Sequence, residues 1–75
     1  MRPQMPARER FAKNLRDRRK QLGLSQEALA GICKLDRTEI SLLECSKRSP
    51  RLDTVVILAR ALELGSACEL LEGIR

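Results

Sequence analysis

Apolar residues in this chain recur at helical spacing, and nowhere do they alternate with polar ones as a half-buried strand requires. From Ala7 onward, Phe11, Leu15 and Leu22 form one stripe, and Gly23 stops that helix. Ser25 is a natural N-cap for a second helix, with Ala28, Leu29 and Ile32 expected to face inward. That helix fades near Cys33, where Gly31 and Lys34 are the plausible breakers. Asp36-Arg37-Thr38-Glu39 reads as a D-x-x-E capping box opening a third helix that runs to about Cys45. Residues 46–50 form a polar, basic loop. Leu52, Val55, Val56, Leu58, Ala59 and Leu62 give a fourth helix, apolar over much of its girth and stopped by Gly65. Ser66-x-x-Glu69 is a second capping box, predicting a short fifth helix with Leu70, Leu71 and Ile74.

The expected fold is therefore all-α: one compact five-helix domain over residues 7–75, preceded by a flexible basic arm at residues 1–6 with Pro3 and Pro6. Two independent cores do not fit in 75 residues. Phe11 is the one aromatic residue, so Leu, Ile, Val and Ala must fill the core. RNA recognition by base stacking is poorly supplied for the same reason.

The net charge of +5 is unevenly placed. Residues 1–20 carry eight Arg or Lys against Glu9 and Asp17, residues 21–48 balance, and the remainder leans acidic. A basic N-terminal third suits a polyanion partner, and equally a solvated charged helix face. Cys33, Cys45 and Cys68 are odd in number, lack C-x-x-C spacing and have no His beside them. That pattern predicts neither a disulfide scaffold nor a metal site, but reduced thiols in a cytoplasmic protein. The longest apolar run, residues 55–59, is far short of a membrane span, and the N-terminus has no apolar signal region. With no His, no Gly-rich phosphate loop and little room for a pocket, an enzyme and a cofactor are not expected.

The third helix carries the sharper signal. At 100° per residue, Arg37, Thr38, Ser41, Leu42 and Cys45 share an arc of about 140°, with Ile40 and Leu43 opposite. One face is core and the other is small, polar and available, a shape that the major groove of DNA admits. Ala30 is small where two helices must cross closely, and Leu35, Ile40 and Leu43 are spaced to pack the third helix on the second.

Residues 24–30 (Leu-Ser-Gln-Glu-Ala-Leu-Ala), then residues 35–44 (Leu-Asp-Arg-Thr-Glu-Ile-Ser-Leu-Leu-Glu), then residues 47–50 (Lys-Arg-Ser-Pro), resemble the phage-repressor (Xre/Cro-like) helix-turn-helix family. The pattern is gap-free and covers about residues 10–72, with the helix-turn-helix proper at about 25–45. The Leu-Asp-Arg-Thr run is also similar to the small controller proteins of restriction–modification systems. The resemblance implies a sequence-specific, double-stranded DNA-binding transcriptional regulator whose recognition helix is residues 36–45. It implies that Arg37, Thr38, Ser41 and Leu42 meet base edges, that Ser25, Gln26, Cys45, Lys47 and Arg48 meet phosphates, and that Arg19 and Glu44 form a structural ion pair. The chemistry agrees: Arg37 can donate bidentately to guanine, Thr38 offers a hydroxyl or a methyl, Leu42 suits a thymine methyl, and Gln26 can donate to phosphate. Three positions depart from the family. Lys34 holds a turn site usually given to Gly, Ser46 replaces a frequent Gly after the recognition helix, and Arg18 stands where the family is often apolar.

The C-terminal third holds more apolar residues than one small core needs: Val56, Ile57, Leu64, Leu71 and Ile74. Their exposure would leave a sizeable apolar patch, so they are expected to form a two-fold homodimer interface. The alternative is an antitoxin-type module that holds a protein partner, such as a toxin, with the same helices.

Overall fold

The computed structural model describes residues 6–62, among which lie four α-helices: α1 (Ala7–Gln21), α2 (Gln26–Cys33), α3 (Arg37–Glu44) and α4 (Leu52–Ala61). The fifth helix expected at residues 66–74, with its capping box, Gly65 and Cys68, lies outside the described residues, as does most of the basic arm.

α1 begins after Pro6, whose carbonyl accepts from the Arg10 amide. Glu9 sits in its first turn and Arg18, Arg19 and Lys20 in its last, the polarity that the helix dipole favours. Phe11, Leu15 and Arg19 recur every four residues and are all buried, so the inward stripe of α1 ends in a guanidinium. The helix closes by a Schellman turn. Gly23 takes φ 71°, its amide reaches the Lys20 carbonyl, and the Leu24 amide reaches that of Arg19.

α2 starts where Ser25 Oγ accepts from the Ala28 amide at 2.9 Å, the cap read from the sequence. Its inward face is Leu29, Ala30 and Cys33. Ala28 and Ile32, expected inside, are instead exposed, Ile32 to 55%. A helix of two turns has one narrow inward stripe, and placing Leu29, Ala30 and Cys33 on it turns Ala28 and Ile32 outward. Gly31 remains within the helix, and Lys34 alone ends it, at φ 57°, ψ 39°. The Lys34 and Leu35 amides return to the Gly31 and Ala30 carbonyls, a second Schellman turn with lysine in the glycine position.

α3 is closed in the same way by Ser46 at φ 63°, with the Ser46 and Lys47 amides bonded to the Leu43 and Leu42 carbonyls. Ile40 and Leu43 are fully buried, and α3 packs against both α1 and α2. α4 packs on α2, burying Val55, Leu58, Ala59 and Leu62. Arg18 donates from Nε to the Leu62 carbonyl at 3.0 Å, and so ties α1 to the last turn of α4. One core results, built from Phe11, Leu15, Leu29, Ala30, Cys33, Ile40, Leu43, Val55, Leu58, Ala59 and Leu62.

Two glycines should respond oppositely to alanine. Gly23→Ala forces a β-carbon into the left-handed region and should cost about 1–2 kcal/mol. Gly31→Ala has open space around it inside a helix and should stabilise by about 0.5–1 kcal/mol. Urea denaturation of both variants checks the pair; matching signs would contradict the turn assignments.

Candidate nucleic-acid interface

α3 is positioned at both ends by left-handed residues, Lys34 before it and Ser46 after it. Its outward face presents Arg37, Thr38 and Cys45 exposed, with Ser41 and Leu42 half-buried between them. Asp36 precedes the helix in an extended conformation, but its side chain makes no capping bond. The expected capping box is therefore not formed. The Glu39 carboxylate pairs with the Arg48 guanidinium instead, a charged contact that outcompetes a carboxylate-to-amide bond.

Beneath α3 lies the Arg19–Glu44 pair. Arg19 donates from Nε to Glu44 Oε2 at 2.7 Å and from Nη2 to Oε1 at 3.0 Å, while Nη1 reaches the Leu24 carbonyl at 2.7 Å. Both residues are buried, 9% and 5% exposed, which leaves water little part in neutralising either charge. The Glu44 hydrogen bond raises the Arg19 pKa further above its ordinary value, against the opposing pull of desolvation. No buried side-chain nitrogen or oxygen among the described residues lacks a partner.

Gln26 belongs to the same network. Its Nε2 donates to Glu44 Oε1 at 3.2 Å, which uses one amide hydrogen and leaves the other. Ser25 Oγ is engaged as an acceptor in capping and keeps its own proton to donate. Ser25, Gln26, Glu27, Ala28 and Arg37 line one open hollow, floored by Arg19. The residues read as phosphate anchors at the start of α2 and the first reader on α3 thus share one surface.

The other flanks of α3 are polar as well. Lys34, Asp36, Glu39, Arg48, Ser49 and Arg51 border a hollow on the loop side. Lys13, Arg16, Cys45 and Ser46 border another at the C-terminal end of α3. Arg16 also donates to the Glu44 carbonyl at 3.4 Å. Lys47 is exposed, and so is Arg48, although its guanidinium is committed to Glu39.

Three features were not read from the sequence: the Gln26–Glu44 bond, the Glu39–Arg48 pair and the bond from Arg18 to α4. Arg18 had a signal, since it departs from an apolar position. The other two join residues 18 and 9 apart with no local pattern. Cys33 is buried, and burial raises its thiol pKa; Cys45 is an exposed thiol. No group of three or more His, Cys, Asp or Glu suited to a metal occurs among the described residues. None of their helices is long and apolar enough to cross a membrane. Of the apolar surplus, Val56 and Ile57 are 38% and 39% exposed, and Leu52 beside them is 76% exposed. Leu64, Leu71 and Ile74 lie outside the described residues.

This geometry has known counterparts. The sequence pattern of the helix-turn-helix family matches residues 15–69. Over 58 residues the chain is 45% identical to the control protein C.SmaI of Serratia marcescens, covering 77% of this chain and 69% of that one. The crystal structure of the restriction–modification controller protein C.AhdI from Aeromonas hydrophila superposes with a TM-score of 0.80 at 36% identity, over 84% of this chain and 94% of that one. A hypothetical transcription factor, NHTF, from Neisseria superposes with a TM-score of 0.86 at 33% identity, over 99% and 88% of the two chains.

Removing one half of the buried pair should be severe. Glu44→Ala strands the Arg19 charge and should cost about 3–5 kcal/mol in urea denaturation. Arg19→Met combined with Glu44→Leu should recover most of that loss, because an apolar pair needs no solvent. A double variant as unstable as the sum of its singles would mean that the two residues act independently.

Proposed function

The chain belongs to the helix-turn-helix family of DNA-binding transcriptional regulators, and from that premise we propose that it reads a near-palindromic duplex operator as a homodimer, with α3 in the major groove. The observation that carries the reading is the hollow shared by Ser25, Gln26 and Arg37. A phosphate lying there meets the remaining Gln26 amide hydrogen and the Ser25 hydroxyl, while Arg37 reaches past it to a base. Arg37, Thr38, Ser41 and Leu42 read sequence. Ser25, Gln26, Cys45, Lys47 and Arg48 set the register on the backbone. The likeness to two control proteins, one of them from a restriction–modification system, supports a regulator of the controller type.

Dimerisation is supported by the outward side of α4. Leu52, Val56 and Ile57 fall on its exposed half, and Leu64, Leu71 and Ile74 add to the apolar content of the same third of the chain. A single module reads too few base pairs to select a genomic site, whereas two recognition helices about 34 Å apart read half-sites about ten base pairs apart.

Readers and anchors are separable by mutation. Arg37→Ala should weaken binding to the preferred site by about 1–3 kcal/mol and relax selectivity at one base pair. Lys47→Ala should weaken every duplex alike and flatten the log–log salt dependence by about 0.9. Selection from a random duplex library, followed by titration across a salt series, measures both. Equal losses from both variants on specific and random DNA would place the recognition helix elsewhere.

Assembly has its own test. Ile57→Glu should give monomers in analytical ultracentrifugation and lose far more affinity on a full site than on a half-site. A wild-type chain that stays monomeric at high micromolar concentration and binds an asymmetric site as one copy would refute the dimer. The apolar side of α4 would then favour an antitoxin-type protein partner.

A further inference from the structure

We propose that Glu39 is a built-in competitor for Arg48: its carboxylate holds the guanidinium in the DNA-free protein, and a phosphate of the bound duplex displaces it. The proposal rests on the reading that α3 enters the groove. Glu39 lies three residues before Leu42, about 60° round the helix, on the flank away from Arg37. It stands therefore where the recognition face meets the loop. Its capping role is vacant, and Arg48 is the partner that the carboxylate holds.

The backbone that carries Arg48 is fixed just upstream. Ser46 is held in the left-handed turn, and the Lys47 amide is bonded to the Leu42 carbonyl at 3.0 Å. Arg48 can thus change partners by side-chain rotation alone, about a well-placed origin. The side chains of Arg48 and Glu39 are 53% and 25% exposed, so the pair is solvated and weak enough to exchange. A guanidinium meets a phosphate with the same forked geometry that it offers a carboxylate. The surrounding hollow also holds Lys34 and Arg51, with Asp36 as its other carboxylate, so cations outnumber acids where a phosphate would arrive.

The exchange has a measurable signature. When Arg48 neutralises a phosphate, a counterion leaves the DNA, but the freed Glu39 recruits a cation in turn. Arg48 therefore adds less to the salt dependence of binding than an unpaired cation would.

Electrophoretic or fluorescence titration of the full chain on its selected site and on an unrelated duplex, across a salt series, tests this. Glu39→Gln should tighten binding to both duplexes about two- to fivefold at low salt and steepen the log–log slope by up to about one unit. The gain should vanish in a Glu39→Gln, Arg48→Ala double variant. Tightening that survives without Arg48 would reduce Glu39 to a bulk charge effect and overturn the proposal. Unchanged or weaker binding by a Glu39→Gln protein with wild-type helicity would overturn it too. Glu39→Ala carries the same expectation; if neither variant folds, the pair is structural and the proposal fails. Wild-type protein that binds no duplex would overturn both this and the functional reading, whereas intact wild-type binding with inert Glu39 variants overturns the exchange alone.

Discussion

The buried Arg19–Glu44 pair is the contact on which the arrangement of the helices depends. It joins the last turn of α1 to the last turn of α3, takes the Leu24 carbonyl between them, and reaches Gln26 at the start of α2. Hydrophobic packing has no strong directional preference; a bidentate guanidinium–carboxylate pair does. Leucines at both positions could hold three short helices together without fixing how far each slides. The charged pair tolerates little sliding, because any shift strands a buried charge at several kcal/mol. The register of α3 relative to the start of α2 is thereby set, and that register decides whether Arg37 and Gln26 face one hollow or two.

The turns divide the same task. Three helices end in left-handed residues, and glycine fills only the first of these positions. Lys34 and Ser46 bracket α3, and each carries a conformational cost of about 1–2 kcal/mol that glycine would lessen. In return, each turn leaves a polar side chain beside the outward face of α3. Lys34 borders the loop-side hollow, and Ser46 borders the hollow at the C-terminal end of α3. A glycine at either site would relax the backbone and remove a side chain from the surface that faces outward with α3.

Much of this was legible in the sequence because it is periodic or local. The stripe of Phe11 and Leu15, the cap at Ser25, the stop at Gly23 and the outward arc of Arg37, Thr38, Ser41 and Leu42 follow from spacing within a few residues. What failed was also local reasoning, where a longer-range partner prevailed. Asp36 and Glu39 have the spacing of a capping box, yet an arginine nine residues on takes the carboxylate. Ala28 and Ile32 have helical spacing with Leu29, but Cys33 and Ala30 define the stripe that faces α3 and α4. Arg18 looked misplaced in an apolar position. Its guanidinium has a use there, since it donates to the Leu62 carbonyl at the end of α4, and the last carbonyls of a helix need donors from outside it.

Ion pairing leaves the net charge of +5 unchanged but withdraws particular cations from the surface that could meet a polyanion. Arg19 is buried on Glu44, Lys13 is paired with Asp17, Arg48 with Glu39, and Arg18 is bonded to a helix end. The hydrogen bond from Lys13 holds the exposed Asp17 carboxyl below its ordinary pKa. Arg37 and Lys47, by contrast, make no side-chain hydrogen bond or ion pair among the described residues, and each projects from the outer side of α3 or the loop after it. Unspecific attraction scales with the cations that are free to displace counterions, whereas sequence reading needs only a few well-aimed donors. Three ion pairs among the described residues hold Lys13, Arg19 and Arg48, and the unpaired Arg37 and Lys47 have different work in the proposed complex, Arg37 on a base and Lys47 on the backbone. Such a division matters for any small DNA-binding regulator, because competing sites on a genome vastly outnumber the preferred one.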